Sequence, residues 1–73
     1  MKYYKFSTNL KQYREEKGLS QRQLAKMINV SQPIISAWEN NLKYPVIDKI
    51  YDIANALNIS VLQLLDCPDS PPQ

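Results

Sequence analysis

Residues 20–40 read SQRQLAKMINVSQPIISAWEN, and this stretch decides the fold. Its apolar residues recur at the three- and four-residue spacing of amphipathic helices, in two groups that Asn29 and Val30 separate. The spacing therefore predicts two short helices, at about residues 20–28 and 31–40, with a tight turn between them.

Residues at the helix ends agree with this prediction. Ser20 and Gln23 match a capping box, in which the serine hydroxyl accepts from the backbone N–H of residue 23 and the glutamine reaches back. The same pattern recurs at residues 60–63. Pro33 suits a first helical turn, where its missing N–H would have no intrahelical partner. A residue in the left-handed conformation often ends a helix, and glycine, followed by asparagine, adopts that conformation most readily. We predict such residues after four helices, at Gly18, Asn29, Asn41 and Asn58.

Helical patterning extends over the rest of the chain, and no stretch alternates convincingly as a strand would. We predict an all-α domain of five helices, at about 7–17, 20–28, 31–40, 46–57 and 60–65. The domain is expected to span residues 1–66, and residues 67–73 to form a flexible, proline-rich tail. The predicted core is Phe6, Leu10, Tyr13, Leu24, Ala25, Ile28, Val30, Ile35, Trp38, Ile50, Ile53, Ala54, Leu57, Ile59, Leu62 and Leu65.

The composition argues against an enzyme. The chain has no histidine and a single cysteine, Cys67, so it lacks the commonest general base, an intramolecular disulfide and a zinc-ligand cluster. No nucleophile–base pair, phosphate loop or carboxylate dyad is present, and we expect no cofactor and no metal. Residues 1–6 show no apolar signal region, and no apolar run is long enough to span a membrane. A cytoplasmic protein without a membrane partner is therefore expected.

Charge is distributed unevenly along the chain. Residues 1–45 contain eight lysines and arginines against three acidic residues, a net charge of +5. Residues 46–73 contain Lys49 against four aspartates, a net charge of −3. A basic front suits a protein that docks one face on a polyanion, although small domains also show such imbalances by chance.

The predicted helix 31–40 has two different faces. At about 100° per residue, its larger apolar side chains fall on one side and can anchor it. The other side carries small or hydrogen-bonding residues, namely Gln32, Pro33, Ser36, Ala37 and Asn40. A solvated helix face usually carries Glu and Lys, whereas this face suits close approach to base edges in the DNA major groove. Two short helices joined by such a tight turn, the second one exposed, are typical of a helix-turn-helix.

Each exposed residue can be interpreted either as a DNA contact or as an ordinary surface residue. The amide of Gln32 can bridge adenine N6 and N7, which we favour over an ordinary exposed side chain. Ser36 could contact a base or a phosphate. Pro33 either starts the helix or touches a thymine methyl, while Ala37 either contacts a base or only permits close approach. Two residues at or beyond the helix end are expected to meet phosphates, Asn40 and Lys43.

Three stretches carry a family resemblance. LKQYREEKGLSQRQLA at residues 10–25, VSQPIISAWEN at residues 30–40, and Pro45 followed by IANALNIS at residues 53–60 together resemble the Cro/lambda-repressor-like, or XRE, helix-turn-helix family. The resemblance covers roughly residues 6–65. It implies a five-helix lambda-repressor-like domain that binds operator DNA, often as a dimer on a pseudo-palindromic site.

The resemblance also implies residue roles. Gln21 matches a residue that contacts phosphate and braces the recognition helix, and Arg14 and Glu39 match a structural ion pair. Four residues match base-reading positions, namely Gln32, Pro33, Ser36 and Ala37. Asn29 and Asn41 stand where glycine is usual. Pro33 and Ala37 stand where longer polar side chains are frequent, so the base preference of a relative does not transfer.

These observations predict a sequence-specific DNA-binding transcriptional regulator, with a repressor as the preferred role. The candidate DNA-binding residues are Gln21, Arg22, Ser31, Gln32, Pro33, Ser36, Ala37, Asn40 and Lys43. Double-stranded DNA is the expected partner, bound by a homodimer that pairs through Leu62, Leu65 and the tail. The alternatives are the antitoxin of a toxin–antitoxin pair, and a protein-interaction module whose exposed helix would have turned acidic or apolar. A toxin or an antirepressor as an additional partner remains open.

Overall fold

The computed structural model describes residues 5–65 as a bundle of five α-helices, without a strand in that range. The helices are α1 Phe6–Glu16, α2 Gln21–Met27, α3 Gln32–Glu39, α4 Ile47–Leu57 and α5 Val61–Leu64. Each predicted helix is present, and every predicted boundary lies within one residue of the observed one. Most differences arise because the prediction included the capping residues. The predicted tail, with Cys67, lies outside the described residues.

Both capping boxes form. The Ser20 hydroxyl accepts from the backbone N–H of Gln23 at 3.0 Å, and the Ser20 N–H donates to the Gln23 side chain at 2.7 Å. Ser60 and Gln63 repeat this exchange at 3.0 and 2.8 Å. In each box, two backbone N–H groups at a helix start donate to side-chain oxygens, because the helix itself offers them no acceptor. The beginnings of α2 and α5 are therefore determined locally.

The four predicted left-handed residues adopt positive φ, with values of 72° at Gly18, 63° at Asn29, 64° at Asn41 and 58° at Asn58. The turn between α2 and α3 depends on Asn29. Its left-handed conformation lets the Val30 N–H donate back to the Ala25 carbonyl at 2.9 Å. This bond satisfies a free carbonyl at the end of α2 and fixes the direction in which α3 leaves the turn.

The core follows the prediction with one error. Its buried apolar residues are Phe6, Leu10, Leu24, Ala25, Ile28, Ile35, Trp38, Ile50, Ile53, Ala54, Leu57 and Leu64. The predicted residues Tyr13, Val30, Ile59 and Leu65 are partly buried against this core. The placement of Leu62 in the core is wrong, since it is 64% exposed and Leu64 is fully buried instead. Side chains two positions apart on a helix, such as Leu62 and Leu64, point about 200° away from each other, so only one of them can face the core.

Polar contacts between helices complete the packing. The Asn9 side chain on α1 donates to the carbonyls of Gln63 and Leu64 at 3.3 and 3.2 Å, which holds the end of α5 against α1. The Lys49 ammonium on α4 donates to the Ile28 carbonyl at the end of α2, at 3.0 Å. Both contacts satisfy carbonyls that a helix end leaves without an intrahelical partner. The arrangement leaves α3 packed on α1 and α2 with one face open.

Candidate nucleic-acid interface

The open face of α3 carries the residues predicted to approach DNA. Gln32, Pro33 and Asn40 are exposed, and Ser36 and Ala37 are partly buried. On the opposite face, Ile35 is fully buried and Trp38 is 4% exposed. Trp38 is therefore a core residue, as expected, and the polar face of α3 is left toward solvent. Ser31, the N-cap of α3, is exposed and makes no side-chain capping bond, so its hydroxyl is left for other partners.

A buried ion pair attaches α3 to α1. Arg14 Nε donates to Glu39 Oε2 at 2.6 Å, and Arg14 Nη2 donates to Glu39 Oε1 at 3.0 Å. The two side chains are only 8% and 3% exposed. Arg14 Nη1 donates to the Leu19 carbonyl at 2.7 Å, so the guanidinium also fixes the loop before α2. The predicted Arg14–Glu39 pair is therefore confirmed, in bidentate form.

This pairing raises the pKa of Arg14 above its ordinary value, chiefly through the hydrogen bond to the Glu39 carboxylate and against the opposing effect of burial. A cation whose pKa is raised in the folded state contributes stability that is complete below its unfolded pKa. That contribution is lost only as the pH rises through the folded pKa, in strong alkali. The pair therefore keeps its arginine charged at any working pH.

Gln21 extends the ion pair toward the surface. Its Nε2 donates to Glu39 Oε1 at 2.9 Å, and its Oε1 accepts from Gln32 Nε2, also at 2.9 Å. One connected set of hydrogen bonds thus runs from buried Arg14 through Glu39 and Gln21 to exposed Gln32. Gln21 braces α3, as the family resemblance implied. The link from Gln21 to Gln32 was not predicted, because residues eleven apart in sequence meet only after the turn has folded.

This link orients the Gln32 amide and leaves part of its hydrogen-bonding capacity for a base. An amide group has two N–H donors and a carbonyl oxygen. Gln21 accepts from the Gln32 nitrogen, which leaves the second N–H and the oxygen for a base. A bidentate contact to adenine needs one donor and one acceptor, so the geometry permits the predicted contact.

A second local contact lies at the other end of α3. Asn40 Nδ2 donates to the Ser36 carbonyl at 2.9 Å and to the Ser36 hydroxyl oxygen at 3.2 Å. Sequence reasoning missed this contact. The four-residue spacing was the available signal, because side chains four apart are neighbours on a helix surface.

The remaining predicted residues are two basic side chains, the rim cations Arg22 and Lys43. Arg22 on α2 and Lys43 in the loop after α3 are both exposed. Neither forms a salt bridge with an acidic side chain of residues 5–65. By contrast, Arg14 and Lys49 are engaged in internal contacts. The rim cations are therefore available to an external anion.

No group of three or more His, Cys, Asp or Glu side chains within residues 5–65 could hold a metal ion. None of the five helices is both long and apolar enough to cross a membrane.

Sequence comparison identifies the family. A helix-turn-helix family model matches residues 10–64. This chain belongs to the helix-turn-helix family. It is 40% identical over 58 residues to the HTH-type transcriptional regulator SinR of Bacillus subtilis, covering 78% of this chain and 52% of SinR. It is 35% identical over 60 residues to the HTH-type transcriptional activator BcrR of Enterococcus faecalis, covering 82% of this chain and 29% of BcrR.

Solved structures agree with the sequence match. The crystal structure of SinR, the master regulator for biofilm formation, in complex with DNA superimposes with a TM-score of 0.79 at 37% identity, covering 84% of this chain and 98% of that chain. The restriction-modification controller protein C.AhdI from Aeromonas hydrophila superimposes with a TM-score of 0.79 at 29% identity, covering 85% of this chain and 94% of that chain. The all-α, Cro/lambda-repressor-like fold is therefore confirmed.

The family also bears on the class of function. These relatives are transcriptional regulators, which confirms the expectation of a DNA-binding regulator rather than an enzyme. The chain spans 29% of the length of BcrR and 52% of the length of SinR.

Proposed function

We propose that this chain represses transcription by binding an operator in double-stranded DNA, with α3 in the major groove. The observation that carries the proposal is the hydrogen-bond chain that ends on the exposed Gln32 amide. Buried Arg14 and Glu39 hold Gln21, which in turn holds Gln32 in one orientation. An ordinary surface glutamine has no such support, whereas a residue that contacts bases gains specificity from a fixed orientation.

Base contacts are assigned to the open face of α3. Gln32 pairs with adenine N6 and N7, and Ser36 contacts the next accessible base edge. Pro33 and Ala37 present apolar groups that can lie against a thymine methyl. The absence of long charged side chains on this face of α3 allows the helix backbone to approach the bases closely.

Phosphate contacts are assigned to the rim. Exposed Arg22 on α2 and exposed Lys43 in the loop after α3 supply the charge. Gln21 has an N–H beyond the one given to Glu39, and the Ser31 hydroxyl makes no capping bond. Such contacts fix the register of the protein on the duplex without reading its sequence.

Two copies are proposed to bind one operator. A single recognition helix reads only a few base pairs, and each mismatch is worth about 1–3 kcal/mol, which is too little to single out one site. Leu62, 64% exposed on α5, together with partly buried Leu65, offers apolar surface for a second copy. These residues lie away from α3, so pairing through them leaves both recognition helices free. We also propose that the protein acts in the cytoplasm, in keeping with its proposed binding to genomic DNA.

The test is selection of binding duplexes from a random-sequence pool, followed by footprinting of the enriched site. We expect an inverted repeat with adenine at a defined position of each half-site. Gln32→Ala should reduce the preference for that adenine by about fivefold to a hundredfold, the range of one lost bidentate contact. Gln12→Ala is the matched control, because Gln12 is an exposed glutamine on α1 whose amide donates to Glu16 at 3.2 Å. Loss of the preference in both variants, or in neither, would contradict the assignment.

The antitoxin alternative keeps one supporting observation. Four apolar side chains near the start of α4 are more than half exposed, namely Leu42, Val46, Ile47 and Tyr51. They would suit a protein partner. Co-purification with the product of a neighbouring gene would favour this function. The interaction-module alternative finds no such support, because the open face of α3 is neither acidic nor apolar.

A further inference from the structure

We propose that Asn40 is a positioning residue, which holds the Ser36 hydroxyl as a hydrogen-bond donor and so selects an acceptor on the facing base. This inference rests on the proposed placement of α3 in the major groove. It assigns to Asn40 an effect on sequence preference, instead of the phosphate contact expected from its place at the helix end.

The contact between the two residues is direct. They lie one turn apart on the open side of α3, and Asn40 Nδ2 lies 3.2 Å from Ser36 Oγ and 2.9 Å from the Ser36 carbonyl oxygen. The Asn40 backbone N–H donates to the same carbonyl at 2.9 Å. Side chain and backbone of Asn40 thus both close on Ser36, and the amide nitrogen is directed inward along the helix rather than outward to a phosphate.

The direction of this hydrogen bond determines what the hydroxyl can offer. A serine hydroxyl has one hydrogen and two lone pairs. In a helix that hydrogen is commonly given to the carbonyl four residues earlier, which here would be that of Gln32. Within residues 5–65 the bonds of the Ser36 hydroxyl comprise the one accepted from Asn40, and none that it donates. Because Asn40 Nδ2 is itself a donor, it occupies one lone pair and the hydroxyl hydrogen must turn away from it, which leaves the hydrogen and a single lone pair for a base.

Base selectivity follows from this orientation. In the major groove, guanine presents the acceptors O6 and N7, thymine presents O4, and adenine presents N7. Cytosine presents only the N4 donor there, which can use only the one lone pair that Asn40 leaves on the hydroxyl. The base opposite Ser36 should therefore be one with an acceptor, and cytosine should be disfavoured. One net hydrogen bond corresponds to a preference of about twofold to tenfold.

The experiment measures relative affinity for the four bases at each position of the selected operator half-site. It compares the wild type with Asn40→Ala, Ser36→Ala and the double variant, and Asn55→Ala serves as an exposed-asparagine control on α4. Thermal melting of each variant checks that the fold is retained. Ratios between bases are compared, so a uniform change in affinity does not affect the result.

At one half-site position, cytosine should be disfavoured by the wild type and better tolerated by Asn40→Ala, because a hydroxyl released from Asn40 has both lone pairs free to accept from N4. Ser36→Ala should lose the discrimination at the same position, and the double variant should lose no more. Unchanged base ratios in Asn40→Ala would overturn the proposal. So would a uniform loss of affinity with a shallower salt dependence, which would identify Asn40 as a phosphate contact. If the wild type enriched no sequence at all, the proposed base contacts of α3 would fail together with this inference.

Discussion

Glu39 lies in the last turn of α3, and its carboxylate is bound by Arg14 from the last turn of α1, at 2.6 Å and 3.0 Å. The recognition helix is thus attached to the body of the domain by a charged pair as well as by its apolar face. The same carboxylate accepts from Gln21 at the start of α2. One side chain therefore sets the relative positions of three helices.

Removing Glu39 should destabilise the domain strongly. Glu39→Ala leaves the Arg14 guanidinium buried without its partner, a situation that costs about 3–5 kcal/mol. Thermal or urea denaturation measures the change. Glu15→Ala is the matched control, because Glu15 lies 3.9 Å from the same guanidinium and is 59% exposed. That substitution should cost less than about 1 kcal/mol. Equal stability of Glu39→Ala and wild type would show that the pair is not buried in solution.

Operator binding should depend on salt through the rim cations. Log affinity is expected to fall against log salt with a slope of about −0.9 for each phosphate neutralised. Arg22→Ala and Lys43→Ala should each make the slope shallower by about 1, while base preference is kept. Fluorescence anisotropy across a salt series measures the slope and the base preference. Lys26→Ala removes the same charge one turn along α2 from Arg22, so an equal change there would indicate general charge attraction instead.

Two chains should occupy one operator, with recognition helices about 34 Å apart on one face of the duplex. Native mass spectrometry on a saturated duplex should find two copies, and Leu62→Ser should convert this to weaker, less cooperative binding. Leu42→Ser is the control, since Leu42 is 75% exposed but lies in the loop after α3. A stable complex of one chain, with protection of a single half-site, would contradict the paired arrangement. Greater loss from Leu42→Ser would place the contact near α4 instead.

The turn of the helix-turn-helix should accept glycine at residue 29. Asn29 has a φ of 63°, a conformation that glycine adopts without steric penalty, so Asn29→Gly should leave stability within about 1 kcal/mol of wild type. Asn29→Ala should destabilise by about 1–2 kcal/mol, because alanine strains in the left-handed region. For comparison, Asn55→Gly in the last turn of α4 should be destabilising, since glycine has a low helix propensity. Denaturation midpoints rank the stabilities of the variants. If Asn29→Gly were less stable than Asn29→Ala, the left-handed conformation of residue 29 would be refuted.

Much of the fold was predictable because its signals are local. A capping serine with glutamine three residues later, and a left-handed asparagine, act through bonds within about one helical turn. The starts of α2 and α5 and the turn at Asn29 could therefore be placed from residue types alone. The candidate face of α3 was predictable for the same reason, since helical periodicity alone separates Gln32 and Ser36 from Ile35 and Trp38.

Tertiary structure decided the features that depend on which surfaces meet. The four-residue helix α5 could bury Leu62 or Leu64, and its packing against α1, secured by Asn9, selects Leu64. The link from Gln21 to Gln32 likewise required the actual crossing of α2 and α3. Local rules determine the starts of α2 and α5 and the turn at Asn29 because those interactions span only a few residues. The choice of buried side chain and of side-chain partner depends on distances between helices, which exist only once the chain has packed.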